Sequence, residues 1–161
     1  MSNPLLVVVI GPTGVGKTLV AIQLAKHFKT EIVSADSRQF YRELPIGTAA
    51  PTLEEQAGIP HHFIGNLSVT EPMDAGQWAQ KAKRLIEQLF SKHQIVICAG
   101  GSGLYVNALL NGMDDLPEKD EKLREELKAE FESNGIEALQ KKLQKLDPEF
   151  YSEIDVNNPK R

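Results

Sequence analysis

Residues 5 to 18, LLVVVIGPTGVGKT, set six apolar residues directly before the spacing G-x-x-x-x-G-K-[ST]. The apolar run reads as a buried strand and the following LVAIQLAKHF as a helix, so the glycines fall in a strand-to-helix turn. In that setting the spacing is a phosphate loop. Glycines let the backbone wrap a polyanion, successive N–H groups and the helix N-terminus face it, a lysine adds a point charge, and a threonine hydroxyl can hold Mg²⁺. The expected diphosphate- or nucleotide-binding residues are Gly11, Pro12, Thr13, Gly14, Val15, Gly16, Lys17 and Thr18, with Thr18 as the metal ligand. A glycine-rich turn with a chance lysine would look similar, but it would not require a strand before it and a helix after it.

Working outward, Leu5 to Ile10, Glu31 to Ser34 and Gln94 to Ala99 read as parallel strands buried on both faces. Helical spacing predicts helices over 16–28, 73–91 and 103–110, the first two carrying apolar residues such as Leu19, Ile22, Phe28, Trp78, Ile86 and Leu89. Alternation of this kind implies an α/β core, a three-layer parallel sheet of the P-loop NTPase type, assigned to residues 1–113. Residues 45–72 hold Pro45, Pro51, Pro60 and Pro72 and read as a long, mostly irregular connection. From Asp114 the composition changes. Residues 114–161 contain 9 basic and 14 acidic residues, net −5, against net +1 for the first 113. Helices are expected at 119–133 and 136–145, split by Asn134-Gly135 as a C-cap.

The whole chain, 161 residues at net charge −4, has the composition of an ordinary globular protein and lacks the broad basic surface of a generic nucleic-acid binder. No apolar run approaches the roughly 18 residues of a membrane span, so no membrane association and a cytoplasmic location are expected. Cys98 is the single cysteine and reads as a core strand residue. His61-His62 lacks further ligands at metal spacing and reads as structural, and Trp78 as core.

Hydrolases with this loop carry an acid at the end of a later apolar strand, where it helps hold Mg²⁺. Here that strand ends in Ala99-Gly100-Gly101. A different acid, Asp36 in VSADSRQ, lies just past the second strand on the edge that presents the loop, placed to take a proton or to bind metal through water. A turn or N-cap aspartate is the competing reading. AGGSGLY, 99–105, makes another glycine-rich turn on the same edge, with Ser102 as a hydroxyl donor.

Together GPTGVGKT, VSADSRQFYRELPIGTAAPT, GIPHHFIG, AGGSGLYVNALLNG and DVNNPKR resemble tRNA dimethylallyltransferase, the tRNA isopentenyltransferase family, in order and spacing through essentially the whole chain. The resemblance implies transfer of the dimethylallyl group of dimethylallyl diphosphate to N6 of the adenosine 3′ of a tRNA anticodon, with Mg²⁺ as cofactor, by a monomeric prenyltransferase that carries a nucleotide-binding (ATP-type) loop. It implies catalytic roles for Asp36, Thr18 and Ser102, with Ser102 standing where threonine is more usual. It also implies tRNA contacts from Asp36, Ser37, Arg38, Gln39, Ser102, Lys160 and Arg161. Residues 114–161 would then begin a helical insertion that grips the anticodon stem, and its net −5 confines RNA contacts to a few residues. Family members are considerably longer, so the chain is expected to be an N-terminal portion that binds diphosphate with little transfer of its own. The residues leave open a P-loop small-molecule kinase, a prenyltransferase acting on free adenine nucleotides, and a nucleotide-dependent switch.

Overall fold

The structure, a computed structural model, describes residues 3–113 and 120–158. Its elements run β1 (Leu5–Ile10), α1 (Lys17–Phe28), β2 (Ile32–Ser34), β3 (His61–His62), α2 (Ala75–Phe90), β4 (Ile95–Gly100), α3 (Gly103–Asn111), α4 (Glu121–Asn134), α5 (Ile136–Leu146) and α6 (Pro148–Glu153). The chain divides into two compact units, 1–114 and 115–161.

In the first unit four parallel strands stand in the order β1-β4-β2-β3. Side chains alternate across the sheet as strand geometry demands. Leu6, Val8, Val33, Val96 and Cys98 face the layer of α2 and α3, whereas Val7, Val9, Ile32, Ile95 and Ile97 face α1. The core is thus the expected α/β sandwich of helix, sheet and helix. Burial drives the Cys98 thiol up to about 12, which leaves it an inert packing group.

Local chemistry explains where boundaries moved. Helix α2 begins at Ala75 because Asp74 caps it: its carboxylate accepts from the Gln77 amide at 2.9 Å while the Gln77 side chain accepts from the Asp74 amide. Helix α1 corrects an expectation. Ala21, Ile22 and Ala25 face the sheet, while Leu19 and Phe28 are 62% and 40% exposed. The segment LVAIQLAKHF is apolar on nearly every side, so spacing alone did not single out the sheet-facing stripe. The segment 45–72 is mostly irregular, as expected, with one two-residue strand: β3 adds His61 and His62 to the sheet edge beside Ile32 and Val33.

The connection's two ends are tied down. Phe40, Phe63, Trp78 and Tyr105 form one aromatic cluster with centroids 5.8–6.5 Å apart, pinning both ends of the connection against α2 and α3. At the opposite end of the sheet, Glu31 binds His62 Nε2 at 2.6 Å and His93 Nε2 at 3.4 Å, so one carboxylate joins the starts of β2 and β4 to β3. His61 turns its Nδ1 to the Ile59 carbonyl, 2.8 Å away. Both histidines are therefore structural.

The second unit is helical. Gly135, at φ 72°, closes α4 with its amide on the Phe131 carbonyl, as Asn134-Gly135 led one to expect. Helix α6 was not foreseen, although Asp147-Pro148-Glu149 carries its start: the Asp147 side chain accepts from the Phe150 amide at 2.9 Å and proline occupies the first turn. None of α4, α5 and α6 has a buried residue. The apolar side chains Phe131, Leu139 and Leu143, with Ile154 and Val156 just past α6, line an open groove of about 970 Å³.

Burial raises the Glu31 carboxyl, but hydrogen bonds and charge from His62 and His93 outweigh it and the net shift is downward from 4.5. A carboxylate lowered in the folded state adds stability above its unfolded pKa and loses it as pH falls through the folded value. Glu31→Gln should therefore cost about 1 kcal/mol near neutrality, with the difference from wild type closing well below pH 4.5. Urea denaturation across pH checks this.

Candidate active site

The strand order brings three turns to one sheet edge: the phosphate loop after β1, residues 35–39 after β2 and Gly100 to Ser102 after β4. They meet in a cavity of about 620 Å³ lined by Thr13, Gly14, Gly16, Lys17, Thr18, Leu19, Ile22, Asp36, Gln39, Thr48, Ala49, Pro51, Glu55, Ala99 and Gly100.

Gly14 and Gly16 hold φ of 83° and 88°, the left-handed region that glycine enters without a Cβ penalty. Gly16 is the N-cap of α1 and supplies no side-chain cap, and the first turn holds no acid, so the amide donors of the helix start face the cavity side without competition from their own sequence. Lys17 Nζ donates to the Pro12 carbonyl at 2.6 Å, folded along the loop it serves.

The second and third turns are locked together by backbone. Ala35 N donates to Ala99 O at 2.8 Å, and Ser102 N returns to Ala35 O at 3.1 Å. A side chain on Gly100 would begin 2.2 Å from Ala35 C and O, so only glycine fits. A side chain on Gly101 would begin 3.8 Å from Asp36 Oδ2 and 4.0 Å from Lys17 Nζ, which places both charged groups over the same small patch of floor. Asp36 Oδ1 accepts from the Arg38 amide at 3.2 Å, and its carbonyl accepts from Gln39 N at 3.0 Å, a tight turn that leaves Oδ2 beside Gly101.

Of the residues singled out from sequence, Thr13, Gly14, Gly16, Lys17, Thr18, Asp36 and Gln39 line the cavity. Gly11, Pro12 and Val15 shape the loop without lining it, and Ser37, Arg38 and Ser102 also stand outside the lining. The Ser102 hydroxyl is engaged with Ser37. Lys160 and Arg161 lie outside the described residues.

Sequence reasoning missed the wall made by Thr48, Ala49, Pro51 and Glu55. The Gln39 amide donates to the carbonyls of Thr48 and Ala49 at 3.4 and 3.2 Å, and Thr52 and Glu55 bond reciprocally through side chain and backbone, at 2.8 and 3.2 Å. The length of the connection was the available signal; which of its residues turn inward was not written in any spacing. Among the described residues, no group of three or more His, Cys, Asp or Glu could hold a metal by itself. The Thr18 hydroxyl and the Asp36 carboxylate are hard oxygen donors, suited to Mg²⁺ that takes its remaining ligands from phosphate and water.

Fold and cavity define a phosphate-loop α/β protein whose neighbouring strand ends in glycine where a nucleotide hydrolase carries an acid. Residues 39–161 match the family model described as IPP transferase, and the chain belongs to that family. It is 50% identical to the tRNA dimethylallyltransferase of Cytophaga hutchinsonii over 99% of this chain and 52% of the relative. It is 47% identical to tRNA dimethylallyltransferase 1 of Bacteroides thetaiotaomicron, over 98% of this chain and 51% of the relative. Among solved structures, the full-length tRNA isopentenylpyrophosphate transferase of Bacillus halodurans aligns at a TM-score of 0.68 and 38% identity, over 99% of this chain and 53% of that one. A eukaryotic dimethylallyltransferase described as acting on tRNA aligns at 0.81 and 30% identity, over 99% of this chain and 40% of that one. The chain thus spans about half the length of the curated relatives it matches. No helix among the described residues is long and apolar enough to cross a membrane.

Because Gly100 packs on backbone, Gly100→Ala should cost about 3 kcal/mol or more, whereas Gly101→Ala, whose added carbon meets ordinary contacts, should cost about 1 kcal/mol or less. Thermal unfolding of the two variants measures the contrast.

Proposed function

We propose that this chain supplies the diphosphate- and adenine-facing half of a tRNA dimethylallyltransferase. It would transfer the dimethylallyl group of dimethylallyl diphosphate to N6 of the adenosine next to the anticodon, with release of pyrophosphate. The observation that carries the reading is the composition of the cavity. A phosphate loop and Asp36 share it, while the β4 end that would hold a hydrolase's acid is Ala99 and a Gly100 with no room for a side chain. The names of the relatives agree with this chemistry.

The loop amides, the α1 N-terminus and Lys17 bind the diphosphate and stabilise the charge that gathers on it as the bond between carbon and oxygen breaks. The electron pair of that bond leaves with pyrophosphate. The adenine N6 forms the new bond to carbon, and the proton it sheds passes to Asp36 Oδ2, which stands beside Gly101. Gln39 lies beside Asp36 in the wall and is placed to orient the base. Thr18 would hold Mg²⁺, which when bound supplies further charge neutralisation at the diphosphate. A flipped adenosine is required, since a stacked base does not reach a cavity of this depth.

Calorimetry with this chain tests the reading. Dimethylallyl diphosphate with Mg²⁺ should bind more tightly than ATP, and Lys17→Ala should lower that affinity about 10- to 100-fold. Asp36→Asn should keep diphosphate affinity within about threefold while abolishing transfer in a transfer-competent protein bearing the change. Preference for ATP, or full transfer by Asp36→Asn, would overturn the assignment.

A further inference from the structure

Ser102 occupies the N-cap position of α3, where a serine hydroxyl ordinarily accepts from the amides of the first turn, yet it makes no such bond. Its hydroxyl is spent on a residue 65 positions away. Ser37 N donates to Ser102 Oγ at 2.9 Å, and the Ser102 hydroxyl donates to Ser37 Oγ at 3.1 Å.

The pair of bonds joins the turn after β4 to the turn after β2. Asp36 is the residue just before Ser37. With the Ser37 amide held by Ser102, and Asp36 Oδ1 held by the Arg38 amide at 3.2 Å, the start of the turn that carries the carboxylate is fixed and Oδ2 stands beside Gly101. Ser102 itself does not line the cavity, although Ala99 and Gly100 do.

We propose that Ser102 and Ser37 are positioning residues that set the direction of the Asp36 carboxylate, with Ser102 acting through Ser37. The catalytic consequence rests on the reading of Asp36 as the proton acceptor; the geometric claim is independent of it.

Nuclear magnetic resonance on the labelled chain tests this through the exchange rate of the Ser37 amide and the carboxyl ¹³C resonance of Asp36. In Ser102→Ala the Ser37 amide should exchange about tenfold faster, and the Asp36 resonance should move. Ser102→Thr, which keeps the hydroxyl, should restore both signals. Amide resonances of Gly14 to Thr18 should stay in place throughout. Unchanged Ser37 exchange and Asp36 resonance in Ser102→Ala would overturn the proposal, as would failure of Ser102→Thr to restore them. So would a shift that spreads equally to the phosphate loop, since that reports general loosening. Failure of the wild-type chain to bind dimethylallyl diphosphate would sink the reaction assigned above while leaving these signals intact.

Discussion

The close backbone approach of β2 and β4 at their C-terminal ends is the constraint on which the site depends. Ala35 and the Ala99 to Ser102 segment exchange two hydrogen bonds, and Gly100 lies against the Ala35 peptide with no space for a side chain. Because β4 also pairs with β1 along its whole length, this contact fixes the distance from the phosphate loop to the turn that carries Asp36. Prenyl transfer needs a proton acceptor beside the carbon that leaves a diphosphate, held there before the substrate arrives. A hydrolase needs instead an acid on the strand next to the loop, and the glycine that permits the β2–β4 approach stands at the end of that strand. One packing requirement thus favours one chemistry over the other.

Much of this was legible in the sequence because it rests on local rules. The phosphate loop announces itself by spacing, and the strands by β-branched runs buried on both faces. Asp36 could be placed at the correct sheet edge because parallel strands all end on one side. What stayed hidden depends on contacts distant in sequence. The role of Ser102 turns on Ser37, and nothing near position 102 says that its hydroxyl leaves the helix it heads. The wall of Thr48, Ala49, Pro51 and Glu55 depends on Gln39 holding two carbonyls from across the cavity. The exposure of Leu19 and Phe28 was hidden because α1 is apolar on nearly all sides. Helix α6 differs, since Asp147-Pro148 carried a readable start.

The two units differ in how they are held. The first has a core on each face of its sheet, with buried side chains from Ala21 to Ala108. Among the described residues of the second, helices α4, α5 and α6 bury no residue, and the ion pair of Lys142 with Glu130 is half to partly exposed and adds little. The first unit carries every described residue assigned here to diphosphate or to proton transfer.

The most direct test of this account is a crystal structure of the chain with a thio analogue of dimethylallyl diphosphate, whose bridging sulfur resists cleavage, and Mg²⁺. The account predicts the diphosphate on the amides of Gly14 to Thr18 beside Lys17, with the prenyl carbon directed to the side of the cavity that holds Asp36 and Gln39. A diphosphate seated on the loop with its prenyl carbon directed away from Asp36 would contradict it.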